Sequence, residues 1–526
     1  MEIIMDIENN KNNCGENEKE SVLSPQTNEK NTPDEKKKLS RRTVGFVVIC
    51  VLSGLFFGLG MALSMVSKWW ETHYTMSFKE LLYTLLSPLQ GTGGGMLGEV
   101  LGAILPATVA ALVIYVVFAI AIKKRIGLGV MGLITGLALL VNSVMYTWQA
   151  FGVGEYLKAL EEKTTIYEDY YIDPDTVSIT ADGKPKNLIY IFLESMETTY
   201  ASQEDGGVQK EVNYIPNLTQ MAKENITFSN NDGGRIGGFM SPHGTTWTIA
   251  ALLSILTGVP FSFPVEGSTM NTRVNFAKGI TAFGDILEAN GYRQMFLCGS
   301  NADFGGRKSF FTQHGNYEIY DLYTARKNGD IPAGYYDGWW GFEDMYLFDI
   351  AKRQITELAA GDQPFNFTML TVDAHMVGGH ECELCTDEYD MLTAKVVSCT
   401  DRQVQEFIEW CKQQDFYEDT TIVLVGDHPR MDQYLVDEAG YFQRTMYNCI
   451  LNSACQPMGE TEGRMFTSMD MFPTVLAAMG FNIEGNKLGL GVNMFSGLPT
   501  LAEQLGYWEF NGELSKYSEY YVLNFS

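Results

Sequence analysis

A chain of 526 residues is too long for one ordinary domain and predicts two or three units, while its 12% aromatic content excludes wholesale disorder. The formal net charge of −27 is unevenly spread: residues 1–42 carry 8 basic and 9 acidic side chains, 43–149 carry 5 and 3, and 150–526 carry 24 and 52. Net −28 over the last segment excludes nonspecific nucleic-acid binding, which needs a basic surface against the phosphate backbone.

Residues 1–35 are rich in Asn, Glu, Ser and Lys without apolar periodicity, and they predict a disordered cytoplasmic tail that ends with the cationic run Lys36–Arg42. Thr43–Ser67 is apolar and uncharged. As a helix it would reach about 37 Å, enough for a bilayer core of about 30 Å. Its length and its distance from Met1 argue against a cleaved signal peptide. Met76–Gln90, with Phe78, Leu81, Leu82, Leu85 and Leu86 in helical spacing, predicts a short amphipathic helix on the outer membrane face, stopped by Gly91–Gly95. Trp69, Trp70 and Tyr74 suit the aromatic belt beside it.

Further apolar runs follow at Met96–Ile122, closed by Lys123-Lys124-Arg125, and at Ile126–Phe151. The positive-inside rule puts both cationic clusters in the cytoplasm. The expectation is therefore a membrane domain over 43–151 with three spans (43–67, 96–122 and 126–151), a linker over 152–186, and everything beyond exported from a bacterial cell. The alternative, buried core helices of a soluble protein, fits three such runs poorly.

From Asn187 the pattern becomes βα alternation. Leu188–Leu193 is a continuous apolar run, as expected of a strand buried on both faces. Gln294–Leu297, Phe367–Val372 and Thr421–Val425 are similar, with helical stretches such as Asp401–Gln413 and Met469–Met479 between them. The fold class expected is α/β, a largely parallel central sheet flanked by helices, with its chemistry at the carboxyl ends of the strands. There lie Glu194, then Asp373-Ala374-His375, then Asp427-His428. A carboxylate from one strand end and an Asp-His pair from another make an oxygen/nitrogen donor set suited to Mn²⁺, Mg²⁺ or Zn²⁺. Gly244-Thr245-Thr246-Trp247-Thr248 precedes an apolar helical run. A threonine hydroxyl there is either an ordinary N-cap or a nucleophile activated by a metal and the helix dipole; the pattern alone leaves both open.

Seven motifs, NLIYIFLESMETTY (187–200), GTTWTIA (244–250), SNADFGGRKSFFTQHG (300–315), GFEDMYLFD (341–349), TVDAH (371–375), VLVGDH (423–428) and DMFPTVLAAMG (470–480), together resemble the alkaline-phosphatase/sulfatase superfamily. Within it they are similar to the branch of membrane-bound lipoteichoic acid synthases and phosphoglycerol transferases. The resemblance covers about 187–500, leaving 501–526 as a C-terminal extension. It implies Glu194, Asp427, His428 and Thr245 as metal ligands, Thr245 also as nucleophile, and Arg307 and His375 as contacts to the head-group phosphate. Thr248, three residues on, occupies a position where the family often keeps a hydroxyl, and Thr246 is the neighbouring alternative. Asp303 and His380 are secondary candidates, and His314 reads as structural. The sulfatase C/S-x-P-S-R frame is absent, which disfavours sulfate hydrolysis. The Phe-Trp-Asn-Arg frame of polyglycerol-phosphate synthases is replaced by Phe304-Gly305-Gly306-Arg307, and three spans stand where those synthases have five. Both differences lean toward glucan-type transferases.

The implied activity is transfer of a glycerol-phosphate head group from a phospholipid, phosphatidylglycerol first, to an extracytoplasmic glycan or polymer, with one divalent cation, Mn²⁺ ahead of Mg²⁺ or Zn²⁺. Phosphoethanolamine transfer, plain phosphodiester hydrolysis and an inactive tethered polymer-binding module are the alternatives. Of nine cysteines, seven are expected outside the cell. Cys382-Glu383-Leu384-Cys385, beside His380, reads as a surface-loop disulfide, a reduced pair or half of a zinc site.

Overall fold

The computed structural model describes residues 40–74, 77–86, 95–122, 125–181, 183, 185–263, 276–332, 341–375, 377–436, 439–440 and 443–525. The expected tail, Lys36–Leu39, Lys123, Lys124 and Gly91–Gly94 lie outside the described residues. Helix α1 (Arg41–His73) begins where the Ser40 hydroxyl accepts the Thr43 amide at 3.2 Å. It runs a turn and a half past the predicted end at Ser67. Next come α2 (Phe78–Leu86), α3 (Gly95–Ala121), α4 (Ile126–Ala150) and α5 (Val153–Glu161). Helices α1, α3 and α4 are long and apolar enough to cross a membrane.

Small residues let α1 and α4 approach closely: a Cβ on Gly136 would lie 2.9 Å from the Ser53 carbonyl. Ser64 and Ser143 hydroxyls meet at 2.7 Å, and Ser67 donates to Thr147 at 2.8 Å. Such packing and interhelical hydrogen bonds hold helices together where lipid removes the hydrophobic drive. Trp69, Trp70 and Tyr74, expected in an aromatic belt, are instead buried as a cluster with Phe151, Val377 and Met431. Two of those neighbours belong to loops of the α/β domain, so the C-terminal end of α1 is a seat for that domain.

The domain is built on strands β1 (Ile179–Ala181), β2 (Asn187–Leu193), β3 (Arg293–Cys298), β4 (Glu318–Tyr320), β5 (Phe365–Leu370), β6 (Thr420–Gly426), β7 (Asn448–Leu451) and β8 (Phe481–Ile483). Six form the central sheet in the order β4-β3-β5-β2-β6-β7, parallel except for β7, while β1 and β8 pair apart from it. Around them lie, in chain order, α6 (Ile166–Tyr170), α7 (Pro216–Glu224), α8 (Thr248–Thr257), α9 (Phe283–Ala289), α10 (Arg307–Gln313), α11 (Leu322–Asn328), α12 (Asp344–Ala359), α13 (Leu392–Cys411) and α14 (Met471–Ala478).

The period-2 geometry of β2 explains its unbroken apolar run. Leu188, Tyr190 and Phe192 enter one core with α8, α9, α10 and α14, whereas Ile189, Ile191 and Leu193 enter another with α7, α12 and α13. Each such fully buried aliphatic side chain contributes about 1.5–3 kcal/mol, which sets β2 at the sheet's centre. The third predicted strand is displaced toward the N-terminus, ending at Leu370 rather than Val372. The Val372 and Asp373 amides are taken by the Asp344 carboxylate at 2.8 and 3.2 Å, so the ladder stops and the chain turns.

Candidate active site and metal centre

Strand register assembles the site. Parallel β2 and β6 set Leu193 opposite Gly426, so the next residues, Glu194 and Asp427, emerge side by side. On the other flank of β2 lies β5, and Thr371 just beyond it accepts the Glu194 amide at 2.9 Å. Ser195 has φ 53, a left-handed turn that bends the chain off the strand and aims its amide at Asp427 Oδ1, 2.8 Å away. Gly426 is required before Asp427, because a Cβ there would fall 1.9 Å from the Met196 carbonyl oxygen.

Glu194, Asp427 and His428 are all buried, and one donor atom from each lies within 4.8 Å of the others. His428 Nε2 is 3.5 Å from Glu194 Oε1 and 3.4 Å from Asp427 Oδ2. Its Nδ1 is 2.9 Å from the Pro429 carbonyl, which can only accept, so the proton belongs on Nδ1 and the Nε2 lone pair faces the carboxylates. Asp427 Oδ1 accepts two backbone amides, while Oδ2 is buried without a hydrogen-bond partner among the described residues. An orphaned carboxylate oxygen converging with a second carboxylate and an imidazole fits a divalent cation.

Burial, and next the Glu194 charge, push the Asp427 carboxyl up to about 7. For His428 burial acts downward, but Asp427 and Glu194 outweigh it and hold the imidazole above its ordinary value. Protons therefore compete with a cation for this site. We expect affinity for Mn²⁺ to fall as pH drops below 7, by roughly tenfold per pH unit for each proton displaced. The metal-free fold is expected to follow the opposite trend from Asp427: a raised carboxyl contributes stability that is complete below its unfolded value near 4 and lost as pH rises through about 7. Calorimetric Mn²⁺ titrations between pH 5.5 and 8 test this, and a flat affinity would refute it.

Thr248 opens α8, and its hydroxyl lies 3.3 Å from His428 Nε2. Thr245 is fully buried three residues earlier, its hydroxyl donating to the Pro242 carbonyl at 2.8 Å. Gly244 makes that turn at φ 77, with no room for a side chain against the Phe261 carbonyl. Thr246 points the other way and donates to Glu80 Oε1 on α2. Of the three hydroxyls, that of Thr248 hydrogen-bonds to His428 of the candidate ligand group.

Arg307, at the start of α10, is buried against its own loop: Nη2 donates to Ser300 Oγ at 3.0 Å and to the Asn301 carbonyl at 2.7 Å, and Nε to the Phe304 carbonyl at 3.1 Å. His375 stands half-buried on the loop after β5. Both loops leave the same sheet edge as Glu194 and Asp427, since β3, β5, β2 and β6 are consecutive neighbours. His380 Nε2 faces Glu343 at 3.6 Å, and half-buried Asp303 is 3.9 Å from Lys308. His314 is locked between Asp285 and the Phe276 carbonyl at 2.9 and 2.7 Å, in keeping with a structural role.

Several residues at the site escaped the sequence reading. Glu80 is buried and pushed up to about 7 by that burial, and Lys79 donates to the Phe261 carbonyl at 3.2 Å, so α2 reaches the threonine loop. A pocket of about 190 Å³ opens there between Glu80, Thr246, Pro429, Met431 and Arg444. Glu197 Oε2 accepts Arg444 Nε at 2.8 Å, and its Oε1 accepts the Arg430 amide at 2.7 Å. Arg430, wholly buried, is held by Asp432 and donates to the Ala374 carbonyl at 2.9 Å, linking the loops after β5 and β6. Glu80 carried one signal, an acid inside an apolar helix; Arg444 lies in no recognisable motif.

Two carboxylates and an imidazole thus converge at the carboxyl edge of a doubly wound, largely parallel α/β sheet. The chain belongs to the Sulfatase family, whose profile matches residues 186–481. A curated relative, phosphoglycerol transferase I from Salmonella choleraesuis, is 30% identical over 334 residues, which are 62% of this chain and 41% of the relative. The chain thus spans about two-fifths of the length of the curated relatives it matches. Among solved structures, the lipoteichoic acid synthase LtaP from Listeria monocytogenes is 19% identical with a TM-score of 0.47, covering 62% of this chain and 82% of that one. The Streptococcus pyogenes phosphoglycerol transferase GacH, in complex with sn-glycerol-1-phosphate, is 15% identical with a TM-score of 0.39, covering 62% and 80%.

Proposed function

We propose that this protein is a membrane-anchored phosphotransferase that moves a glycerol-phosphate head group from phosphatidylglycerol to a glycan or polymer hydroxyl outside the cell. The observation that carries the reading is the buried Glu194, Asp427 and His428 group beside the threonines that lead into α8. The names of the curated relatives supply the head group. In this reading the three apolar helices cross the membrane with the α/β domain on the outer side, and residues 43–151 form the membrane domain.

Glu194, Asp427 and His428, with Thr245, would hold the cation. Bound there, a divalent ion lowers the pKa of a threonine hydroxyl and offsets charge on phosphorus. Thr245 Oγ1 forms a bond to phosphorus as the bond to the diacylglycerol oxygen breaks, and diacylglycerol leaves carrying the proton. The resulting phosphoglyceryl-threonine is opened by an acceptor hydroxyl, which takes the phosphorus and returns a proton to the threonine. Arg307 and His375 hold the phosphate, and a guanidinium suits its oxygens. The aromatic seat at the end of α1 and the reach of Glu80 from α2 keep the reaction at the lipid surface.

The test is incubation of the full-length protein in detergent micelles with phosphatidylglycerol labelled in the head group. Diacylglycerol release that stops on chelation and returns with Mn²⁺ is expected, with label passing to an added glucan. Equal release from phosphatidylethanolamine, or label recovered only as free glycerol phosphate, would overturn the head-group or the transferase assignment respectively.

A further inference from the structure

Three cysteines meet away from the carboxylate centre. Cys382 and Cys385 lie on the loop after β5, where the Cys385 amide donates to the Cys382 carbonyl at 3.1 Å and folds the Cys-x-x-Cys stretch into a tight knuckle. Cys399 comes from α13, in the sequence neither adjacent nor patterned with them. Cys382 Sγ is 3.8 Å from Cys385 Sγ and 3.8 Å from Cys399 Sγ, and all three sulfurs lie within 4.8 Å of one another. Cys382 and Cys399 are buried and Cys385 is half-buried, and none is in a disulfide.

These separations discriminate between occupants. Bonded sulfurs would be about 2.05 Å apart, and a sulfur committed to one partner would not be equidistant from two. Thiolates on a tetrahedral zinc, each about 2.3 Å from the ion, stand about 3.8 Å from one another. Zinc is favoured over harder cations because every donor is sulfur. Gln403 on α13 points its amide Nε2 at Cys399 Sγ, 3.4 Å away, a donor of the kind that orients and stabilises a ligating thiolate.

We propose that Cys382, Cys385 and Cys399 bind a structural Zn²⁺ through three thiolates, with water in the fourth position. Binding releases the thiol protons to solvent and changes no oxidation state. The ion staples the loop 371–391 to α13, and that loop carries His375 and, through the Ala374 carbonyl, accepts a hydrogen bond from Arg430. The zinc centre is therefore a positioning device for the loop over the carboxylate site. Its consequence for turnover rests on the proposed function, but the metal itself does not.

The experiment uses the full-length protein purified in detergent without chelator, with metal content read by mass spectrometry. One zinc per chain is expected, retained in Asp427→Asn and lost in Cys399→Ser. Cobalt substitution gives a second readout: a thiolate-to-cobalt charge-transfer band in the wild type and in Asp427→Asn, absent from Cys399→Ser. Cys385→Ser, at the half-exposed position, guards against a folding defect at Cys399 and is expected to weaken zinc retention against a competing chelator by at least tenfold. A zinc content unchanged by either cysteine variant would overturn the proposal. So would a Cys382–Cys385 or Cys382–Cys399 disulfide found in non-reduced peptides of the alkylated native protein. Failure of zinc binding with phosphatidylglycerol cleavage intact sinks only the zinc site; zinc present in a protein that cleaves no lipid sinks only the transferase reading.

Discussion

Asp427→Asn is expected to abolish cation binding at the carboxylate centre and lower turnover by at least about 10³-fold, the scale of loss when one member of a catalytic unit is removed. The same variant is expected to make the metal-free protein more heat-stable at pH 8. Both effects follow from one geometry. Oδ1 accepts the Ser195 and His428 amides at 2.8 Å each, and an asparagine oxygen can keep both bonds. Oδ2 is buried without a hydrogen-bond partner among the described residues, 3.4 Å from His428 Nε2, with the Glu194 carboxylate on the same nitrogen. Replacing that oxygen by an amide removes one of two crowded charges and supplies a donor toward Glu194 or the imidazole, so the empty site relaxes. It also removes the ligand, so a cation no longer stabilises the fold. Melting curves of both forms with and without Mn²⁺ measure this. A variant less stable than wild type in the absence of metal would mean that Asp427 is there for the fold.

Thr245→Ala is expected to eliminate the phosphoglyceryl-enzyme and reduce transfer by at least about 10³-fold, whereas Thr248→Ala is expected to lose about 10–100-fold, as for a group that supports a metal ligand. The family resemblance implies Thr245 as the nucleophile, while it is Thr248 whose hydroxyl hydrogen-bonds to His428 Nε2. The two roles are compatible. To act, the Thr245 hydroxyl must leave the Pro242 carbonyl, a hydrogen bond worth about 1 kcal/mol, which is small against the stabilisation a bound cation offers. Thr248, at the first turn of α8, then orients His428. Trapping with labelled lipid, followed by peptide mapping of the modified threonine, separates the positions directly. Label on Thr248, or a larger loss in Thr248→Ala than in Thr245→Ala, would transfer the nucleophile to the helix start.

The elements of this fold were legible wherever periodicity was strong. β2 showed as an unbroken apolar run because both its faces are buried, and three apolar helices showed by length alone. β4, β7 and the end of β5 were not legible. The first two are short edge strands, and β5 stops where a side chain, Asp344, takes the amides that a longer strand would have used. Trp69 and Trp70 have the composition of an interface belt, and what buries them is a pair of loops some 300 residues further along the chain.

Sequence by itself determined the class of fold and the residues at the sheet's carboxyl edge, because a parallel strand delivers the residue that follows it to one edge regardless of what else surrounds it. Glu194, Asp427 and His428 are of that kind. Only the tertiary structure decided which of three neighbouring threonines meets the imidazole, that Glu80 from the membrane side touches Thr246, and that Cys399 joins Cys382 and Cys385. Each of those depends on the register and rotation of two elements packed against each other, and side-chain direction about a helix or loop is fixed by packing rather than by local pattern.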